Sequence, residues 1–412
     1  MAFTFNFEID TSSCPAAVIF VIDEDGNRLD QLLTPFRIEA NMWCSSKERP
    51  KNIYLKKYKN INIRLNNLRV AISTYLRDCL DSNQSYSRRK LTYIISKYSS
   101  IDCKVPEGSL LECIENYIVS RMHNISPSTY KRYRVFYNLL KKFEAFLGRH
   151  VYIPDVNATI IPHLLAFGEN ESYSKSTIYR TINFIRTVLN HLEKRGVRTF
   201  VYELEFVREN KETEMVTLSE EELLHINRIN LPKALETARD WLLISCYTGQ
   251  RVSDFMRFST DMIKIAHGKK YIVFTQCKTK RKIHLPLHPV VQSVMINNGN
   301  CFPPKLSYKV FNENIKNIAK IAGCNALINI RKRLGYRGYV VNVPKWEAVT
   351  THIGRRSFAS NYYGKIPTPL LMEATGHRSE LMFQKYINPI DVHRILLLNQ
   401  YFEDTYKIAL GS

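Results

Sequence analysis

The chain has 412 residues, and 59 lysines and arginines against 38 aspartates and glutamates give it a formal net charge of +21. That length is too great for one small core and implies two or three domains, while 45% apolar and 24% charged residues exclude wholesale disorder. So basic a chain suits a polyanionic partner, because each neutralised phosphate releases condensed counterions and adds affinity that is independent of sequence.

Residues 1 to about 60 alternate in the β manner: FTFNFEI, then AAVIFVIDEDGNRL with a hairpin-type turn at Asp25-Gly26, then PFRIEANMW. A basic stretch from Lys47 to Lys59 follows. From about Ile61 to Leu80 the apolar spacing turns helical, through Ile63, Leu65, Leu68, Val70, Ile72 and Leu76. A small sheet with a helix behind it is expected. From Asp81 to about Gly108 the composition turns polar and reads as a linker, with a first boundary near residue 105.

The next block predicts two long helices. Ser126-Pro127 is an N-cap with proline at the first helical position, and Tyr130, Tyr133, Phe136, Tyr137, Leu140, Phe143 and Leu147 run at helical spacing up to Gly148. Ser174 opens the second, with Ile178, Ile182, Ile185, Leu189 and Leu192 on one face and Gly196 as its stop. Shorter helices are expected at Leu110 to Met122 and Thr159 to Phe167. The opposite faces carry Lys131, Arg132, Arg134, Lys141, Lys175, Arg180, Arg186, Lys194 and Arg195. Taken alone, such a run is a solvated face.

Residues from Val201 to Met215 lack apolar periodicity and read as a linker, after which Ser219 and Glu222 form a capping box that opens a further domain near 215. There WLLISCYTGQRVSDF sets Arg251 beside a Thr-Gly break, and KKYIVFTQCKTKRKIHLPL reads as two strands joined at a lysine-rich turn. Residues 295 to 315 look like a loop entering a helix. ALINIRKRLGYRGYVVNVPKWEAVTTH is a basic patch preceding the His352 helix, and VHRILLLNQYFEDTYKIAL holds an apolar stripe suited to docking on a neighbouring protomer. Nine cysteines without a CxxC pair offer neither a disulfide framework nor a zinc site. No apolar run approaches the roughly 18 residues of a membrane span, so a cytoplasmic protein is expected.

The chemistry concentrates between His352 and Tyr386, in HIGRRSFASNYYGKIPTPLLMEATGHRSELMFQKY. His352 and Arg355 are three apart and share a helix face. With His377 and Tyr386 they make a set of imidazoles, a guanidinium and a hydroxyl, without a carboxylate pair or a metal set. An arginine fork fits two phosphate oxygens, and a tyrosine hydroxyl beside that phosphate can attack it. Phosphoryl transfer without metal is the chemistry suggested.

Arg251 in TGQRVSD, Lys278 in the strand pair, His352 and Arg355 in HIGRRSFA, His377 in TGHRS and Tyr386 nine residues on resemble, in order, the catalytic set of the tyrosine recombinases, the phage integrase family. The resemblance spans roughly residues 215 to 395. It implies a multidomain, mainly α protein. An N-terminal sheet-plus-helix domain (1–105), laid out like the arm-type DNA-binding module in integrases of Bacteroidetes mobile elements, would be followed by a helical, SAM-like core-binding domain (106–200). A mainly α catalytic domain with a small β-hairpin would complete the chain (215–412).

It further implies that Tyr386 is the nucleophile, with Tyr362, Tyr363 and Tyr401 as structural competitors. Arg251 and Arg355 would clamp the phosphate and Lys278 would protonate the departing 5′ oxygen, with Lys280 and Lys282 as alternatives. His352 would take the tyrosine proton or bond the phosphate, His377 would bond a non-bridging oxygen, and Asp254 would orient a catalytic side chain. Lys131, Arg132, Arg134, Lys175, Arg180 and Arg186 become phosphate contacts. No metal or other cofactor is implied. The expected partners are double-stranded DNA, three further copies in a homotetramer, and accessory bending or directionality factors, at the nucleoid. Site-specific recombination, integrating or excising a mobile element, is the expected function. A DNA invertase, a type IB topoisomerase and a catalytically silent DNA-binding protein are the alternatives.

Overall fold

The structure, a computed structural model, describes residues 3–24, 26–52, 55–99, 105–205, 215–334, 337–387, 399–400 and 402–403. It falls into two compact units, Met1–Glu209 and Asn210–Ser412. Helices dominate both, with small antiparallel sheets.

The first unit opens with a three-stranded antiparallel sheet of β1 (Phe3–Asp10), β2 (Ala16–Glu24) and β3 (Asn27–Ile38), in that order. β2, AAVIFVIDE, is central and buried along most of its length, which is why it reads as a continuous apolar run. The expected third strand, PFRIEANMW, is not separate. Its first residues finish β3, and the rest leads into a two-residue pair, β4 (Trp43–Cys44) with β5 (Arg49–Pro50). α1 (Lys56–Asp81) packs Leu65, Leu68, Ile72 and Leu76 against Phe7, Phe20, Phe36 and Ile38 of the sheet.

The stretch read as a linker holds α2 (Arg88–Tyr98), capped by Ser87 and burying Leu91, Ile94 and Ile95 in the same core. Three apolar residues among arginines and lysines are too thin a stripe to stand out in sequence. α3 (Leu110–Arg121), α4 (Pro127–Leu147), α5 (Ile160–Asn170) and α6 (Lys175–Glu193) build a second core of this unit. Ser126 and Ser174 cap α4 and α6 as their sequence contexts predict, each accepting from the backbone N–H three residues on. Arg49 and Glu171 join the sheet portion to the end of α5 through a 2.8 Å ion pair whose two side chains are 16% and 8% exposed.

In the second unit the Ser219–Glu222 capping box opens α7 (Glu220–Arg228), both reciprocal bonds being present. α8 (Lys233–Thr248) is the central helix, buried on every side from Asp240 to Thr248. After α9 (Val252–Phe255), the expected strand pair is β7 (Lys269–Thr275) with β8 (Lys282–Pro286), and a third strand, β6 (Ile263–Ala266), adds to its edge. α10 (Pro289–Asn297) and α11 (Tyr308–Ile321) follow.

The segment read only as a basic patch forms an antiparallel hairpin, β9 (Leu327–Leu334) with β10 (Arg337–Pro344). Ile328 and Ile330 in β9, and Val341 and Val343 in β10, recur at period two and pack on the core, a pattern obscured by the consecutive basic residues 331–333. α12 (Lys345–Ala348), α13 (Ile353–Tyr362), α14 (Thr368–Thr375) and α15 (Glu380–Gln384) complete the unit. Apart from residues 399, 400, 402 and 403, the C-terminal apolar stripe expected to dock on a neighbour lies outside the described residues. Among the described residues no helix is long and apolar enough to cross a membrane.

α13 lies directly on α8, and Gly354 makes that approach possible. A Cβ at Gly354 would sit 2.6 Å from the Ser245 Cβ and 2.7 Å from its backbone carbon. The neighbour cannot yield, because it belongs to the most buried helix of the unit. Gly354→Ala is therefore expected to cost about 1–3 kcal/mol through overpacking. A lower melting temperature together with slower DNA cleavage is the expected outcome, and an unchanged melting curve would show that the helices part without cost.

Candidate active site

Two helices end on the same sequence pair. α8 closes at Thr248 with Gly249 left-handed at φ 65°, and α14 closes at Thr375 with Gly376 left-handed at φ 72°. Both ends converge on Arg355 of α13. Its Nη1 donates to the Gly249 carbonyl at 2.9 Å and its Nη2 to the Thr375 carbonyl at 2.7 Å. The C-terminal end of a helix carries partial negative charge, so the guanidinium occupies a site built for a cation. Arg355 is 1% exposed, and its Nε has no partner. Burial, then repulsion from Arg251, lowers its pKa to about 10, against the opposing pull of Tyr386 and Asp254. It stays charged at neutral pH.

His377 follows α14 directly. Arg355 Nη2 donates to its Nε2 at 2.9 Å, and its Nδ1 lies 2.8 Å from Thr375 Oγ1. The threonine hydroxyl gives its one proton to the Leu371 carbonyl at 2.6 Å, so it accepts from Nδ1–H. His377 is thus the Nδ1–H tautomer, with Nε2 as acceptor. Burial, then the charges of Arg355 and Arg251, push its pKa down to about 3, which keeps the ring neutral. The Tyr386 ring lies 5.3 Å from the Arg355 guanidinium and 5.0 Å from the His377 ring. Phe383, wholly buried, anchors the turn that carries Tyr386, whose N–H bonds the Phe383 carbonyl at 2.8 Å.

Arg251 starts α9 and donates through Nη1 to Gln276 Oε1 at 3.3 Å. Gln276 directly follows β7, and the turn after it exposes Lys278. Asp254 is 1% exposed and accepts from the Cys277 N–H at 2.7 Å. Its carboxylate therefore holds the base of the Lys278 turn. His352 stands at the N-terminus of α13. Although it is exposed, desolvation and then Arg356, Arg355, Arg251 and Lys278 hold its pKa below the usual 6.5. Of the three candidate lysines, Lys278 is the one whose charge acts on His352. Lys280 is exposed at φ 57° and Lys282 pairs with Thr275 inside β8. Tyr362 packs on Phe358 at 5.1 Å and Tyr363 against Phe383 at 6.3 Å, while Tyr401 lies outside the described residues. Among the described residues no three His, Cys, Asp or Glu side chains are grouped to hold a metal ion.

The phage integrase family model matches residues 216–393, and that of the phage integrase SAM-like domain matches residues 109–199. The chain belongs to the phage integrase family of tyrosine recombinases. Its activity is the breakage and rejoining of DNA at specific sites. No curated protein matches the sequence. Among solved structures, a lambda integrase (75–356) dimer bound to a COC′ core site is 17% identical, covers 68% of this chain and 95% of its own, and has a TM-score of 0.50. The XerH site-specific recombinase in a post-cleavage complex is 15% identical over 82% of this chain and 96% of its own, with a TM-score of 0.51. The Tn1549 transposon integrase in complex with a circular intermediate DNA is 12% identical over 72% of this chain and 100% of its own, with a TM-score of 0.53. At these identities the likeness is one of fold.

Elsewhere in the recombinase, Lys131, Arg132, Lys175 and Arg180 are exposed on α4 and α6, and Arg186 is half-buried. Arg134 differs from them, since it is ion-paired with Glu115 and stacked on Tyr137 at 4.8 Å. Its charge is already partnered. Sequence reasoning missed the buried polar residues behind the site, Gln250, Gln276 and Thr375, and also Arg281, whose Nη1 donates to the His377 carbonyl at 3.1 Å. The available signal was position, a glutamine just before Arg251 and another directly after β7.

The His377 environment predicts a pH dependence. An unfolded histidine takes a proton near pH 6.5, but native His377 refuses it until about pH 3. The stability it contributes is therefore complete above pH 6.5 and declines as the pH falls toward 3. His352 and His288, also lowered, act in the same direction. Thermal melting at a series of pH values is expected to show decreasing stability below 6.5, with a shallower decline in His377→Gln. An equal slope in the variant would contradict this assignment.

Proposed function

We propose that this recombinase serves a mobile DNA element, integrating and excising it through a covalent 3′-phosphotyrosine. The observation that supports the residue roles best is the Tyr386 ring packed beside Arg355 and His377, 5.3 and 5.0 Å away. In the proposed step the Tyr386 hydroxyl oxygen attacks the scissile phosphorus, a bond forms between them, and the bond from phosphorus to the 5′ oxygen breaks. Lys278 gives a proton to that oxygen, which leaves as a free hydroxyl. Rejoining reverses the step with a 5′ hydroxyl from another strand. The phosphotyrosine bond conserves the energy of the broken linkage, so no nucleotide is consumed.

His352 is the proposed acceptor of the phenolic proton. Its lowered pKa leaves it neutral at pH 7, whereas both ring nitrogens of His377 are engaged. Arg251 and Arg355 would hold the non-bridging oxygens. For His377 to bond a non-bridging oxygen itself, it would first have to exchange its bond from Arg355. Asp254 would act by fixing the Lys278 turn.

The first unit is proposed to carry an arm-type domain (1–105) and a core-binding domain (106–200), ahead of the catalytic domain (215–412). Double-stranded DNA is the proposed partner, bound by a homotetramer and assisted by bending or directionality factors. In support, the similar lambda integrase (75–356) is described as a dimer bound to a core site.

A nicked duplex carrying the joined ends of the encoding element tests this reading, because loss of the fragment beyond the nick traps the covalent intermediate. The wild type is expected to form a protein–DNA adduct and Tyr386→Phe to form none while still binding the duplex. An adduct in the Phe variant would overturn the assignment. Arg251→Ala is expected to slow adduct formation by about 10²–10³. For the basic faces, replacing exposed Lys131 or Arg180 should weaken binding on any sequence and reduce the salt dependence of affinity by about 0.9 in log–log slope for each phosphate no longer neutralised. Arg134→Ala should leave that slope unchanged, since its guanidinium already has an anionic partner.

A further inference from the structure

Gln276 is wholly buried, at 0% exposure, behind the arginine clamp. Its side-chain amide is saturated. Oε1 accepts from Arg251 Nη1 at 3.3 Å and from Thr279 Oγ1 at 2.5 Å, while Nε2 donates to Gln250 Oε1 at 3.1 Å and to the Thr375 carbonyl at 3.0 Å. An amide has two donor and two acceptor positions of this kind, and all four are used. The orientation follows, because a rotated amide would aim N–H groups at the Arg251 donor. The Thr375 carbonyl that it reaches is also the one that holds Arg355.

The backbone of the same residue closes the lysine turn. Gln276 N–H donates to the Arg281 carbonyl at 2.9 Å, and its carbonyl accepts from Lys280 N–H at 3.0 Å. Lys278 therefore rides on a turn both ends of which meet at Gln276. Gly376 leaves room for this contact, because a Cβ there would sit 2.6 Å from Gln276 Oε1. One residue touches the Lys278 turn, Arg251, and the carbonyl that orients Arg355.

We propose that Gln276 is a positioning residue that sets the Lys278 turn in register with the Arg251–Arg355 clamp, so that the general acid and the guanidiniums act as one rigid body. This rests on the assignment of Lys278 as the acid. A buried carboxamide suits the task better than a carboxylate. It accepts from Arg251 without neutralising the charge meant for the phosphate, and it alone supplies two donors as well.

The test compares ordinary nicked duplex with a duplex whose 5′-bridging oxygen at the cleavage point is sulfur. A thiolate leaves without a proton, so a defect in the general acid disappears on the sulfur substrate while a defect in the clamp persists. Gln276→Ala is expected to cleave the ordinary duplex at least about tenfold more slowly than wild type and to recover most of that loss on the sulfur substrate, as Lys278→Ala should. Thr279→Val, at the partly exposed turn and so no threat to folding, should show a smaller loss with the same recovery. Should Gln276→Ala prove misfolded by melting and DNA binding, the Thr279→Val ratio decides alone.

Wild-type rates for both variants on both substrates, or equal slowing on both, would overturn the proposal, the latter by making Gln276 a support of the clamp or of the fold. If Lys278→Ala itself gained nothing from sulfur, the acid assignment would fall first and this inference with it.

Discussion

The second unit depends on keeping a positive charge where water cannot reach it. Burying a guanidinium is costly unless its donors are met, and the usual remedy is a carboxylate. Among the described residues no carboxylate touches Arg355. Two helix-end carbonyls and a neutral imidazole accept from it instead. Dipoles satisfy the donors without cancelling the charge, and Asp254 adds only a supporting field from the neighbouring turn. The result is a fixed, desolvated cation with its charge uncancelled, as the proposed phosphate clamp requires, and such preorganised charge is worth far more in a low-dielectric site than in water.

The same constraint explains the surrounding backbone. Both carbonyls come from Thr-Gly helix ends, and in each the glycine takes a left-handed turn that releases the preceding helix. α13 must lie close enough on α8 for Arg355 to reach them, which Gly354 permits. His377 is neutral because it is buried and sits beside that charge, and its neutrality is what lets it serve as an acceptor. Charge, helix ends and small residues are thus one arrangement viewed at three scales.

This also marks what was legible in the sequence. The order of Arg251, Lys278, His352, Arg355, His377 and Tyr386 was read by resemblance to a family's set, not from local physics. Local signals were readable because their physics is local: the serine caps of α4 and α6 and the capping box of α7. Gln250 and Gln276 were not, since nothing in either neighbourhood announces that two amides 26 positions apart will bond each other at 3.1 Å. The β9–β10 hairpin was hidden by its own arginines and lysines, which masked the alternation, and α2 by a polar face around three buried residues. The role of Asp254 lay between these cases. Its position beside Arg251 was visible, whereas its bond to the Cys277 N–H depends on a fold that returns a strand to it.

The placement of the lysine follows from the same electrostatics. The group proposed to protonate the departing oxygen is not packed among the buried guanidiniums. Lys278 instead stands exposed at the apex of a turn, close enough for its charge to be felt by His352 but outside the buried cluster. Exposure alone would leave a flexible lysine far from any fixed position. Tethering the base of the turn through Asp254 and Gln276 limits that freedom, because the backbone of the lysine is held to Arg251, a residue proposed to orient the phosphate.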